Sequence, residues 1–441
     1  MYHKRVLGFF LHSFCFLKRF FMKDSEIVKS DAIIVGIAER GSDLPECDRS
    51  LDELERLLDT AGGRVFARVI QVKDSFDPRT CIGSGKVKEI SELCSANQVE
   101  LVIFDFELTP AQIRNLENDI GGDVRVIDRS MLILDIFALH ATSGEGKLQV
   151  ELAQLRYSAP RLMGRGTELS RLGGGIGTRG PGETKLESDR RHMKEKVIAL
   201  EKRLAEMEHN RSVMRAQRDR SGLCKIALVG YTNAGKSTLL NALTGAGVLS
   251  EDKLFATLDP TTRKLELPCG ESVLLTDTVG FIRKLPHHLV KAFKSTLDEV
   301  VYADILLIVS DITDPEVGEH IEVTRGVIED LGASDKPVIL VYNKCDMLTE
   351  PITDMDGDDA VILSGATGEG IDRLLCLIEQ TIHRFKKKYS LLIPYSNQSV
   401  VSTLYDNYTV ESVDYVDDGI AVEVILDERG RGMYSRYIVT V

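Results

Sequence analysis

"KIALVGYTNAGKSTLLNALTG", residues 225–245, decides how the rest of this chain is read. A strand-like KIALV leads into Gly230-Tyr231-Thr232-Asn233-Ala234-Gly235-Lys236-Ser237, and a helical pattern runs on from Thr238 to a stop at Gly245. Strand, glycine-bounded loop, Gly-Lys-Ser and helix follow in the order of a phosphate-binding loop. The chemistry needs those residue types. Glycines let backbone N–H groups close on phosphate oxygens, and the helix N-terminus adds a favourable field. Lys236 neutralises β- and γ-phosphates, and Ser237 offers a hydroxyl to Mg2+. "GSGKV" at residues 83–87 and "GEGKL" at residues 144–148 look alike only at a glance. Lys86 is followed by Val87 and Lys147 by Leu148, so neither carries the hydroxyl, and each is read as a turn.

Three further stretches extend the pattern. "DTVG" (Asp277, Thr278, Val279, Gly280) closes the strand-like "SVLLTDT". Its carboxylate suits a cation or the cation's water, and the Gly280 N–H suits a γ-phosphate, so Lys236, Asp277 and Gly280 are the catalytic candidates. "NKCD" (Asn343, Lys344, Cys345, Asp346) ends the strand-like "PVILVY". An aspartate there accepts both hydrogens that guanine presents, from N1 and the 2-amino group, and adenine lacks that pair. "SGATG" supplies Ser364, Gly365 and Ala366 as sources of backbone donors to the guanine carbonyl. Between the phosphate loop and "DTVG" lies "LFATLDPTTR", residues 254–263, without strong periodicity. A switch loop needs one threonine that reaches Mg2+ when the γ-phosphate is present, and Thr257, Thr261 and Thr262 qualify by chemistry alone.

The surrounding chain alternates. "AIIVGI", "RVFARVIQV" and "ELVIFDF" read as strands, separated by "SLDELERLLDTAGG" and "VKEISELCSANQ" as helices. "TPAQIRNLENDIG" adds a helix with Thr109 at its cap and Pro110 in its first turn. Such alternation predicts a parallel sheet with packed helices. "KIALVG", "SVLLTDT", "DILLIVSD", "PVILVYNK" and "AVILSG" predict a second, doubly wound sheet. Between the two lies an arm. "LQVELAQLRYSAPRL" is amphipathic, "RLGGGIGTRGPGE" is too rich in glycine for helix or strand, and the charged stretch after it repeats Met193, Val197, Leu200 and Leu204 at helical-hairpin spacing. The tail alternates and turns at Asp418-Gly419, as a small antiparallel unit does. The expected domains are residues 23–150, 151–222, 223–387 and 388–441.

Bulk properties bound the partners. The net charge of −13 excludes a generic polyanion binder, and no DNA partner is expected. Charge is segregated, however: residues 161–225 hold 16 Lys/Arg against 9 Asp/Glu. Eight cysteines stand singly, without metal or disulfide spacing, which fits a reducing cytosol. The first 22 residues carry six phenylalanines and no acid, and their apolar run is too short and too polar to span a bilayer. They are read as a non-native extension, with peripheral membrane attachment as the alternative.

The ordered set GYTNAGKS, FATLDPTTR, DTVGFI, NKCD and SGATGEG is similar to that of translation-factor-class GTPases. Together with "DTVGFIRKLPHHLVKAFKSTL", "IGSGKVKEI", "ELAQLRY" and "RLGGGIGTRGPGETKLE", it resembles the HflX family over roughly residues 32–385. The resemblance implies an α/β fold, in which a P-loop GTPase domain follows a smaller α/β domain with a long helical arm. A small α+β or antiparallel tail domain comes last. It implies a cytosolic GTPase that binds GTP and GDP with Mg2+; separately, a monomer is expected. Its implied partner is the ribosome, chiefly the large subunit and its rRNA, with action in rescue, splitting or recycling. It places Thr257 on Mg2+ with Ser237, inside a nucleotide-contacting stretch of Phe255, Ala256, Thr257, Leu258 and Asp259. Gly365 departs from the alanine usual after Ser364.

One position is anomalous. Many GTPases carry a water-orienting glutamine directly after the D-x-x-G glycine, and here that residue is Phe281. Slow intrinsic hydrolysis, stimulated by a partner, is the expectation; another side chain of this protein could instead take the role. Competing readings are a GTP-dependent assembly or scaffold protein with little turnover, and a GTPase tied to tRNA modification, for which no cofactor or redox-cysteine module is visible. Arg171, Arg179, Arg190 and Arg191 are the expected RNA contacts of the arm.

Overall fold

The computed structural model describes residues 30–38, 44–73, 75–162, 181–219, 223–245, 254–255, 258–284, 286, 289, 294–348, 358–385, 387–426 and 428–439. The first 22 residues, the glycine-rich stretch with Arg171 and Arg179, and Ala256 and Thr257 lie outside them.

The amino-terminal domain runs β1 (Asp31–Ala38), α1 (Leu44–Thr60), β2 (Arg64–Val72), α2 (Ser84–Asn97), β3 (Leu101–Phe104), α3 (Pro110–Ile120), β4 (Arg125–Asp128) and α4 (Arg129–His140). Its strands pair in parallel in the order β2-β1-β3-β4. Alternate residues of β1 point to opposite faces, the consequence of a two-residue side-chain period. Ile34 packs with α1 and α4, while Ile33 and Val35 pack with α2 and α3. Thr109 caps α3, as its sequence predicts, and the cap is a reciprocal box with Gln112 that was not expected. β4 and α4 escaped the sequence reading. Most of α4 is buried, so its apolar residues surround the helix and leave no amphipathic stripe.

The arm is α5 (Gly144–Leu162) followed by α6 (Pro181–Asp219). Lys196–Glu151 and Arg156–Glu201 ion pairs, both at 2.6 Å, join them. Leu200 is buried and Met193, Val197 and Leu204 are half-buried, so the seam faces inward as its spacing predicts. The two Gly-Lys look-alikes are not turns. Gly83 precedes α2, and Gly144 and Gly146 form the first turn of α5.

The next domain runs β5 (Cys224–Gly230), α7 (Lys236–Thr244), β6 (Thr261–Glu266), β7 (Ser272–Asp277), α8 (Lys294–Tyr302), β8 (Ile305–Asp311), α9 (Val317–Asp330), β9 (Val338–Asn343), β10 (Ala360–Ile362) and α10 (Ile371–Phe385). Its sheet order is β10-β9-β8-β5-β7-β6, parallel except at β6. Helices α7 and α10 cover one face, α8 and α9 the other. The sixth strand was not expected: Thr261 and Thr262 begin β6, and the Thr262 hydroxyl meets that of Thr276 at 2.9 Å. Both threonines are thus committed to the sheet edge.

The tail comprises β11 (Lys387–Ile393), α11 (Ser399–Asn407), β12 (Thr409–Val416), β13 (Gly419–Leu426) and α12 (Glu428–Met433). The strands form an antiparallel sheet ordered β11-β13-β12, turning before Gly419 as expected. Among the described residues, no helix is long and apolar enough to cross a membrane.

Candidate nucleotide site

Strand β5 delivers the phosphate loop to the carboxyl end of the sheet, where open α/β sheets place their ligands. Lys236 opens α7 and folds back over the loop, its Nζ donating to the carbonyls of Gly230 at 3.1 Å and Tyr231 at 2.7 Å. Burial lowers its pKa to about 8, with Asp277 pulling the other way. Ser237 donates to Asp277 at 2.6 Å, and Asp277 is fully buried. A hydroxyl beside a dry carboxylate is the oxygen donor set that a hard cation such as Mg2+ takes, so these residues fit that ion.

Asp277 ends β7 and hands over to Thr278, whose hydroxyl donates to Leu228 at 2.6 Å. Gly280 lies hard against the loop. A Cβ there would sit 2.8 Å from the Thr232 Cα and 3.0 Å from the Lys236 Nζ, so no side chain fits. Phe281 bonds its backbone to the loop on both sides, donating to Gly230 at 3.0 Å and accepting from Thr232 at 2.8 Å. Its ring is 1% exposed, packed among Val229, Leu297 and Val300.

On the opposite side, Asn343 joins three loops. Its amide donates to the Ala234 carbonyl at 2.9 Å, and its oxygen accepts from the Gly365 N–H at 2.9 Å. Gly365 therefore keeps a structural hydrogen bond at the position where the motif departs from the usual alanine. Lys344, with a positive φ of 68°, pairs with Asp311 at 2.7 Å. The Ser364 hydroxyl accepts from Thr367 at 3.1 Å. These bonds bring "NKCD" and "SGATG" to the same end of the sheet as the phosphate loop. Asp346 stands exposed in the short 3-10 turn after β9.

Of residues 255–259 in the switch-loop stretch, Phe255, Leu258 and Asp259 are described, and their side chains pack on the amino-terminal half of the chain. Phe255 is 2% exposed and meets Phe137 of α4 edge-on at 4.7 Å. Leu258 is buried in the same core. The carboxylate of Asp259 accepts from the backbone N–H groups of Thr142 and Ser143 and from both their hydroxyls. Burial works to raise the Asp259 pKa, and those bonds outweigh it, so the group stays ionised at neutral pH.

A second set of residues supports the site, and of these the sequence marked only Tyr231, as a member of the phosphate loop. Tyr231, the second loop residue, stacks on His320 with ring centroids 3.8 Å apart, and its hydroxyl bonds Glu53 of α1 and accepts from the Arg283 N–H at 2.8 Å. Arg129, 2% exposed, joins Glu53 and Asp105 and donates to the Arg283 carbonyl. Lys284 reaches Asp105 at 2.8 Å. The segment after "DTVG" is thus docked on the amino-terminal domain by a buried charge network, continuous with a core that includes Tyr231, Val279 and Ile282. A lone arginine at the start of an apolar run does not announce such a role.

Four family descriptions match successive parts of the chain. Residues 48–138 match the family described as GTP-binding GTPase N-terminal, and residues 140–218 its Middle Region. Residues 225–344 match the family described as 50S ribosome-binding GTPase, and residues 353–436 the HflX C-terminal domain. GTPase HflX of Caldanaerobacter subterraneus subsp. tengcongensis is 50% identical over 395 residues, 90% of each chain. The chain belongs to the HflX GTPase family. GTPase HflX of Escherichia coli K12 is 43% identical over 374 residues, covering 84% of this chain and 87% of that one. A solved GTP-binding protein from Sulfolobus solfataricus in complex with GDP is 25% identical, spans 81% of this chain and 99% of its own, and superposes with a TM-score of 0.42. As a member of the HflX family, the protein binds guanine nucleotide and hydrolyses GTP to GDP and phosphate.

Proposed function

We propose that the chain is a GTP-dependent switch that binds the ribosome, chiefly its large subunit, and acts in the rescue, splitting or recycling of ribosomes in the cytosol. Lys236 and the backbone around Asn233 and Gly235 hold the phosphates, and Asp346 reads guanine. Ser237 and Thr257 hold Mg2+, with Asp277 behind Ser237; when bound, that ion neutralises charge developing on the phosphates. One observation carries the reading: Phe281 is buried and its backbone is tied to the phosphate loop on both sides. That position supplies no group to orient the attacking water, so intrinsic turnover is slow and the ribosome accelerates it. The match to a family described as 50S ribosome-binding GTPase supports the partner. The exposed Arg190 and Arg191 of α6 are the described part of the basic arm that meets rRNA phosphate.

Multiple-turnover phosphate release with and without 50S subunits tests this. We expect stimulation of about 10-fold or more, within the range that partner-supplied groups give GTPases. Equal rates overturn the ribosome-stimulated reading. Sedimentation with ribosomal subunits, in GDP and in a non-hydrolysable GTP analogue, reads the switch itself; identical binding in both overturns it.

A further inference from the structure

The Gly-Glu-Gly-Lys stretch that opens α5 binds no phosphate in the reading above, yet its geometry is specific. Ser143 caps the helix, its hydroxyl accepting from the Gly146 N–H at 2.8 Å. That same hydroxyl donates to Asp259 at 2.5 Å, and the other Asp259 oxygen takes the Thr142 hydroxyl at 2.7 Å and the Ser143 N–H at 2.7 Å. Asp259 comes from the switch loop of the G domain. A Cβ on Gly146 would lie 2.5 Å from an Asp259 oxygen, so the glycine leaves the space that the carboxylate occupies.

We infer that Asp259 is a positioning residue: its carboxylate, seated on the first turn of α5, ties the loop that carries Thr257 to the helical arm, so that nucleotide state is felt along α5. Thr257 and Asp259 are two residues apart, a span of at most roughly 7 Å. Phe255, wedged against Phe137, and Leu258 anchor the same loop on either side of Thr257. Movement of Thr257 on gain or loss of the γ-phosphate therefore changes the load on the Asp259 seat. α5 is also joined to α6 at Glu145–Arg211, 2.8 Å, in its first turn. The seat therefore meets the root of the basic arm.

The inference rests on the reading of Thr257 as the γ-phosphate-sensing residue, and one experiment separates the two. Hydrogen exchange is followed in the full chain with GDP and with a non-hydrolysable GTP analogue, in the wild type, Gly146→Ala and Asp259→Ala. In the wild type, the amides of Ser143, Gly146 and Lys147 should exchange at rates differing about five-fold or more between the two nucleotides. In Gly146→Ala, that difference should collapse while GDP affinity and the nucleotide response of residues 254–263 remain. Alanine favours helix over glycine, but its Cβ would meet the Asp259 oxygen first and the capping Ser143 hydroxyl next, at 3.0 Å, so Asp259→Ala, which leaves the cap in place, assigns a lost response to the carboxylate. Asp259→Ala should lose the same response from the other partner. If residues 254–263 respond in the wild type but the first turn of α5 does not, or if both variants keep its response, the Asp259 tie is wrong and the switch reading stands. If residues 254–263 do not respond at all, both fall.

Discussion

The base side and the phosphate side of the G domain are held by different parts of the chain. On the base side, Asn343, Ser364 and Lys344 find their partners within the G domain. On the phosphate side, Tyr231, Phe255, Leu258, Val279 and Ile282 share one core with α1 and α4 of the amino-terminal domain. A cleft of about 500 Å3 beside Asn233 and Leu254 is likewise walled by Glu55, Asp59 and Arg64 of that domain. The base-side loops are therefore held within their own domain, while the phosphate-side loops are packed against a second domain. The contrast suits a switch: which base is bound never changes, while the phosphate state must be reported outward.

The strongest way to break the contrast is Asp346→Asn. It should weaken GTP binding by about 10³-fold through loss of the guanine donor pair, while thermal stability stays within about 0.5 kcal/mol, as for other surface changes. Competition between GTP and ATP for the site measures the first and melting the second. A large loss of stability would mean that the base side is not self-contained.

Arg129→Ala is the mirror experiment. It leaves Glu53 and Asp105 buried without the cation between them, and stability should fall by about 3–5 kcal/mol. Discrimination of GTP from ATP among molecules that remain folded should be retained. Lost discrimination would join the two sides that the structure separates.

The smallest effect sharpens the phosphate-side domain. Burial raises the Asp135 pKa to about 6, although Arg125 and the Gln154 amide favour its charge. A carboxyl whose folded pKa lies above its unfolded value costs nothing below the ordinary value of 3.8; the cost grows up to about pH 6 and is constant above. Asp135→Asn should therefore stabilise by about 1–2 kcal/mol at pH 7.5 and lose that gain as pH falls toward 4. Urea unfolding at both pH values checks it, and a pH-independent gain would assign the effect to packing.

The loops at the carboxyl end of the second sheet were legible because each is a short sequence with its own local geometry: a strand, a glycine turn, a helix start. The same holds for β1 to β3, α1 to α3 and the tail hairpin, whose apolar periods and stop signals lie within a dozen residues. The all-apolar α4 and the strand β6 inside a hydroxyl-rich loop carried no comparable signal. Nor, Tyr231 apart, did the site's supporting residues. Glu53, Asp105, Arg129, Tyr231 and Lys284 are far apart in the chain and meet only when two domains close on each other. Asp259, expected beside the nucleotide, seats its carboxylate on Thr142 and Ser143, and Gly146, expected in a turn, leaves room for it; only folding brings the two together. Local sequence was enough to specify what is bound, because backbone shape and a few side chains within one loop make that chemistry. How the site is supported from outside its own domain was decided by tertiary structure, because burial and charge pairing across domains have no period that a single strand or helix displays.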